Sequence, residues 1–397
     1  RAPAYLTVPA PLPGYALAPF ALLALLPFGI AAFVWTLVVL ASLIFTVMWM
    51  RALTSLPATT VVAALVLSDG YVGVTLGQIA PLAIAAVVGA ALAVQREKLT
   101  LAACAAALAM IEPHIGLPAC IALAVCRPKA LAPLALCAAV LAALSVALLG
   151  WPLCHEYLTA VLSAHAFSEV NNVKQLSFAY ILHRFGVGAS LALAISDALY
   201  VALIAIGIAV ASTLARRTGR TSLLILVPVA LAVAGAPFTH IAQIAAVVPA
   251  ALVLLDIRRD DVWLVPTVIL LAVPWPQFAS LGTTFPLLAA LVAGTLAYDL
   301  VAGRARTAAI VIACALAFFA TALPADALTA VADPSRQLLA SYDARALAET
   351  SWSAYVNTVG TQNQLAYDMA RAPTWLALLL LCYRLGIAAT SSTKPRC

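Results

Sequence analysis

Between residues 29 and 390 apolar runs alternate with short polar breaks, and every second break carries Lys or Arg. The basic breaks hold Arg51; Arg96 and Lys98; Arg127 and Lys129; Arg216, Arg217 and Arg220; Arg258 and Arg259; and Arg304 and Arg306, followed by a tail with Arg384, Lys394 and Arg396. Together these are 15 of the 21 basic residues. Loops that keep Lys and Arg stay on the cytoplasmic side, so the alternation orients a chain that crosses a membrane many times. Composition excludes a soluble domain: hydrophobic residues make up 65% and charged residues 9%, against roughly 25% charged in soluble proteins. Mean hydropathy is +1.08.

The expected fold is therefore all-α, a polytopic transmembrane helix bundle of about 13 membrane segments, some short or re-entrant, drawn from the first run at 29–50 to the last at 374–390. Two long outer loops interrupt it. The first, 150–188, interleaves aromatics with His155, His165 and His183, which suits helices resting at the headgroups. The second, 324–373, is the most polar stretch of the chain. The expected organisation is a core over 1–323, the outer loop 324–373, and a last helix with a cytoplasmic tail over 374–397. The Pro-rich start, Pro9 to Tyr15, reads as extended, followed by an apolar stretch at the interface.

The runs 99–112 and 115–126, either side of Glu112-Pro113-His114, are too short for straight crossings. Joining them into one helix would put Arg96 and Lys98 opposite Arg127 and Lys129, so a hairpin turning within the membrane is expected. Such a turn is tolerated only where it is packed in protein or lines a wet cavity. The chain begins Arg1-Ala2-Pro3, without Met, and the alternation of sides calls for an upstream helix that brings it out.

The net charge of +6 follows from the basic breaks and gives no nucleic-acid face. Six of the eight Cys sit in or beside apolar runs without ligand spacing and read as small core residues. No spacing calls for a metal or a cofactor. Polar groups within a bilayer are costly and point to function. The candidates are Asp69 and Gln78 at one turn, Glu112 and His114 at another, His240 and Gln243 at a third, then Gln277 and Asp197. Each also has a plain structural reading, as a helix cap, a turn residue or an interhelical partner. Convergence of Gln78, Glu112 and His240 on one cavity is the sharper expectation. Glu112 beside His114 offers a carboxylate and an imidazole, enough for a general base or for holding a phosphate. His155 and His165 read as surface residues.

Gly77-Gln78-Ile79-Ala80-Pro81, a helix, the basic break at Arg96, a second helix and Glu112-Pro113-His114-Ile115-Gly116-Leu117-Pro118 together resemble the family 87 glycosyltransferases, integral-membrane enzymes of the GT-C superfold. Asn172-Val173-Lys174-Gln175-Leu176-Ser177 resembles that family's Gln-x-Ser segment in a large outer loop, and Ala236-Pro237-Phe238-Thr239-His240 a later motif that opens a helix. The family often has Lys before the Pro where this chain has Glu112. The superfold's usual catalytic acid lies in the first outer loop, a position that would fall before Arg1.

The resemblance implies transfer of a mannose-like hexose or a pentose from a polyprenyl-phosphate donor to a lipid or glycan acceptor, at the outer face of a bacterial inner membrane. Gln78, Gln175, Ser177 and Gln243 would then bind donor or acceptor. Lys174, Arg184, His114 and His240 would be the phosphate partners, and Glu112 a local substitute for an upstream base. A transporter or flippase is the alternative, since intramembrane acids and broken helices also suit a substrate path; a non-catalytic partner in glycan assembly is a third reading. The absence of matching halves and the two long outer loops favour the enzyme.

Overall fold

The computed structural model describes residues 12–172, 174–276, 284–300 and 364–390. Every element among them is helical. Helix α1 (Gly14–Leu23) precedes α2 (Phe28–Leu53), whose 26 residues span a bilayer. Helix α3 (Ala58–Leu65) passes through a π-helical turn, Val66–Tyr71, into α4 (Val72–Leu76). The core follows as α5 (Ala80–Gln95), α6 (Leu99–Ala109) and α7 (Pro113–Cys126). Then come α8 (Leu131–Glu156), α9 (Leu162–Glu169), α10 (Phe178–Arg184), α11 (Ala189–Thr218) and α12 (Leu223–Gly235). The short α13 (Ile241–Ile244) leads through a 3-10 turn into α14 (Val248–Ile257), followed by α15 (Leu264–Ala272), α16 (Thr284–Leu300) and α17 (Gln364–Thr390). Five of these stretches are long and apolar enough to cross a membrane, and several shorter apolar helices pack among them.

Helices α5 and α12 form the centre. Every residue of α12 is buried, as expected of a helix that is apolar all round. Ala-rich α5 packs against α2 and α6, where small side chains let helix backbones approach closely. Helix α11 presents one buried stripe, Ala192, Ser196, Tyr200, Ile204, Gly207 and Ala211, to α12. Helix α8 buries nothing and faces outward.

The basic breaks gather at one end. Arg220 donates to the Leu53 carbonyl (2.8 Å) and pairs with Asp256 (3.1 Å), which also holds Arg259 (2.8 Å) and the Ser55 hydroxyl (2.7 Å). Arg127 pairs with Glu97 (3.2 Å), and Arg384 with Asp261. The turns bearing Gln78, Glu112 and His240 lie at the other ends of these helices.

Helices α6 and α7 do form a hairpin, turning through Met110, Ile111 and Glu112. A Cβ on Gly116 would sit 2.4 Å from the Met110 backbone nitrogen, so only glycine allows α7 to start this close to the end of α6. Gly116→Val should therefore abolish folded expression, read as loss of the monodisperse peak after detergent extraction. Gly77, at φ +59°, closes the neighbouring turn in a left-handed conformation.

Some expectations are corrected. Tyr15 belongs to α1 rather than to an extended segment, its amide held by the Ser145 hydroxyl (2.9 Å). The backbone of α8 breaks at Gly150 (φ 74°), where the expected first outer loop begins, and much of that loop is helical, in line with the expected headgroup helices. Cys104 is exposed rather than in the core. Gln277 and most of the polar loop 324–373 lie outside the described residues.

Candidate functional site

A cavity of about 840 Å³ opens at the end of the bundle opposite the basic breaks. Gln78, Glu112, His114, His240 and Gln243 all line it, as does Asp197. The three turns that carry these residues are brought together by α5, α7 and α12 packing against one another. Among the described residues no Lys or Arg lines the cavity, so its cationic chemistry falls to imidazoles.

Glu112 sits at the N-cap of α7 but makes no capping bond with its side chain, so its carboxylate is free for the cavity. Its Oε1 lies 3.4 Å from His114 Nδ1 and accepts from Gln243 Nε2 at 3.4 Å. Among the described residues its Oε2 has no hydrogen-bond partner, and it is not among the buried unpartnered atoms, so it is open to the cavity. The positive N-terminal end of α7 favours the negative charge there. His114 stacks edge-on against Phe238 (4.0 Å), and its carbonyl accepts from Tyr200 Oη (3.1 Å).

The first outer loop closes the site from behind. Glu169 at the end of α9 is fully buried, and its Oε2 pairs with His240 Nε2 (3.2 Å) while accepting from Asn172 (3.0 Å) and Gln175. Burial alone would raise its pKa, but the hydrogen bond and charge of His240, with His165 and Gln175, outweigh it and hold the carboxyl at about 2. Gln175 Oε1 accepts from the Thr239 amide (2.7 Å), and the Leu176 amide donates to the Thr239 carbonyl (2.7 Å), so this loop fixes the approach to α13. From α17, Arg371 donates to the Gln175 carbonyl (2.7 Å) and lies 4.1 Å over the Tyr180 ring.

Not every candidate reaches the cavity. Gln175 is wholly buried in the loop network, and Ser177 caps α10 by accepting from the Tyr180 amide (3.2 Å). Lys174 is exposed, and Arg184 pairs with Asp368 (3.3 Å) on α17. Asp69 lies buried in the π-turn with neither oxygen hydrogen-bonded, away from the cavity lining. Asp69→Asn should raise the apparent melting temperature, because it removes an uncompensated buried acid; a fall would show that the carboxyl has a partner such as a bound cation. Conversely, His165, read as a surface residue, is on the cavity wall 5.2 Å from Phe238, and Glu169 stood out in the sequence only as one of several loop acids. Their i, i+4 spacing on α9 was the available signal. Among the described residues no three candidate ligands gather to hold a metal ion.

Beside the cavity, an apolar groove of about 640 Å³ runs between α1, α6, α7 and α8. Tyr15, Met110, Leu117, Tyr157 and Leu158 line both, so the polar cavity and the apolar groove adjoin across these side chains.

The apolar helices and this polar chamber define a polytopic membrane protein with an open polar cavity at one end of its bundle. The sequence profile of glycosyltransferase family 87 matches residues 13–237, more than half of the chain, and the chain belongs to that family. It is a membrane glycosyltransferase. The match includes Gln78, Glu112, His114 and the loop with Glu169 and Gln175; His240 and Gln243 follow directly after it. No curated protein and no solved structure matches the chain.

Proposed function

We propose that the protein transfers a sugar from a polyprenyl-phosphate donor to a hydroxyl of a lipid or glycan acceptor, at the outer face of a bacterial inner membrane. The observation that carries this reading is a polar chamber set side by side with an apolar groove, an arrangement that suits a polar head on a hydrocarbon tail. The basic breaks support the sidedness: retained Lys and Arg mark the cytoplasmic end, so the chamber faces away from the compartment that makes nucleotide sugars, and the C-terminus is cytoplasmic.

In the transfer, the acceptor oxygen attacks the anomeric carbon as the bond from that carbon to the phosphate oxygen breaks. The phosphate leaves with the bonding pair, and the acceptor proton passes to Glu112 Oε2. The imidazoles of His114 and His240 are the groups for the departing phosphate, and Gln78 supplies an amide on the chamber wall. The sugar ring and the acceptor share a chamber of the size typical of small-molecule sites.

Purified protein in proteoliposomes would be given polyprenyl-phosphate-linked mannose or arabinofuranose, or the matching nucleotide sugars, with a membrane-lipid extract as acceptor. Product from the lipid-linked donor alone supports the proposal. Product from a nucleotide sugar overturns the donor class, and movement of the intact lipid-linked sugar between leaflets without transfer favours a flippase.

A further inference from the structure

We propose that Gln243 is a positioning residue that aims the Glu112 carboxylate, deciding which of its oxygens meets the acceptor hydroxyl and how firmly it holds its charge. The inference rests on the reading of Glu112 as proton acceptor.

The helix around Gln243 is broken: α13 has four residues and is followed by the 3-10 turn Ala245–Val247. This lets the side chain fold back over its own helix start, where Gln243 Oε1 accepts from the His240 amide at 2.8 Å. An amide oxygen only accepts, so its NH₂ is the group left to face Glu112 Oε1, 3.4 Å away. The network, rather than free rotation, fixes which end of the amide points at the carboxylate.

The His240 amide is itself held in place. Thr239 is clamped on both sides by Gln175 and Leu176, and the His240 ring is anchored on buried Glu169. Gln243 thus ties Glu112 to a rigid part of another element.

Both bonds to Glu112, from Gln243 and from His114, fall on Oε1. That leaves Oε2 as the oxygen open to the chamber. Glu112 is 7% and Gln243 8% exposed, so a donor beside the carboxylate acts in a medium where hydrogen bonds to charge are strong.

Other titratable groups face Glu112 from the elements around it. They are His114 on its own helix, Tyr15 from α1, Tyr157 from the turn after α8, His165 from α9 and Tyr200 from α11. Asp197 of α11 and His240 share the cavity lining. The Gln243 contact with Glu112 is the one that a single isosteric change turns from a donor into a like charge.

The test compares wild type, Gln243→Glu and Gln243→Met in nanodiscs. Gln243→Glu keeps the shape and still accepts from the His240 amide, but it loses the donor and sets a second carboxylate against Glu112. Gln243→Met removes both interactions. We expect kcat at neutral pH to fall about tenfold to a hundredfold in Gln243→Glu, with KM within about threefold. The acid limb of the kcat profile should move up by about one pH unit or more, and less in Gln243→Met. The same displacement should appear in the carboxyl titration of Glu112, followed by infrared difference spectroscopy and assigned with Glu112→Gln.

An unmoved limb and an unmoved carboxyl titration in folded Gln243→Glu overturn the inference. If Glu112→Gln keeps full activity, the proton-acceptor reading fails instead, and the carboxyl titration alone still decides whether Gln243 controls Glu112.

Discussion

Replacing Glu112 with Gln should lower kcat by about a hundredfold to ten-thousandfold, the range that general-base groups contribute, while KM for the lipid-linked donor changes little. The change is nearly isosteric and removes only the capacity to accept a proton. Glu112 does not cap its helix through its side chain and lies at the dipole-positive start of α7, so its removal should not unfold the hairpin. Single-turnover transfer in proteoliposomes, together with thermal stability, separates the two effects. A variant that is folded and fully active would take the proton-acceptor role away from Glu112. A variant that is folded and slow, with a flattened acid limb, would assign it to Glu112.

The sequence carried the ends of the bundle better than its back wall. Alternating basic breaks are a direct record of which helix ends lie together, because charge cannot be left in hydrocarbon; the Arg220–Asp256–Arg259 cluster is that record in three dimensions. The turn motifs at Gly77-Gln78 and Glu112-Pro113-His114 were legible because turns need particular residues. The structure brings them to one cavity with His240.

What sequence could not supply was pairing over distance. Glu169 and His240 lie 71 positions apart and meet only after the outer loop folds onto the start of α13. In one dimension Glu169 is an acid in a polar loop, the same description that fits exposed Glu156. Lys174 and Arg184 fail for the converse reason: loop cations beside the segment that resembles the family's Gln-x-Ser invite a phosphate role, but one is exposed and the other is taken by Asp368. Ser177 is similarly explained by its backbone duty as a helix cap.

That buried acid makes the second large prediction. Glu169→Ala should destabilise the first outer loop by roughly 3–5 kcal/mol, the cost of breaking a buried pair by removing one partner. It removes the oxygen on which the Asn172 and Gln175 amides and the His240 ring nitrogen now converge, leaving Gln175 and His240, 3.0 Å apart, only each other. Because the loop clamps Thr239 and Arg371 clamps the loop, the loss should spread to both α13 and α17. Limited proteolysis between α9 and α10 should accelerate, and the apparent melting temperature should fall.

The pH dependence has a definite sign. The Glu169 carboxyl is held at about 2, below the ordinary 4.5, so the contribution of its ionised form to stability is present above about pH 4.5. It is lost as the pH falls from 4.5 toward 2. Over that shift the linked contribution is roughly 3 kcal/mol, so the stability gap between wild type and Glu169→Gln should close as the pH falls below about 4.5. A gap that is unchanged at pH 3 would mean that Glu169 acts through packing alone. A gap that closes would show that one buried charge holds the wall of the transfer chamber in place.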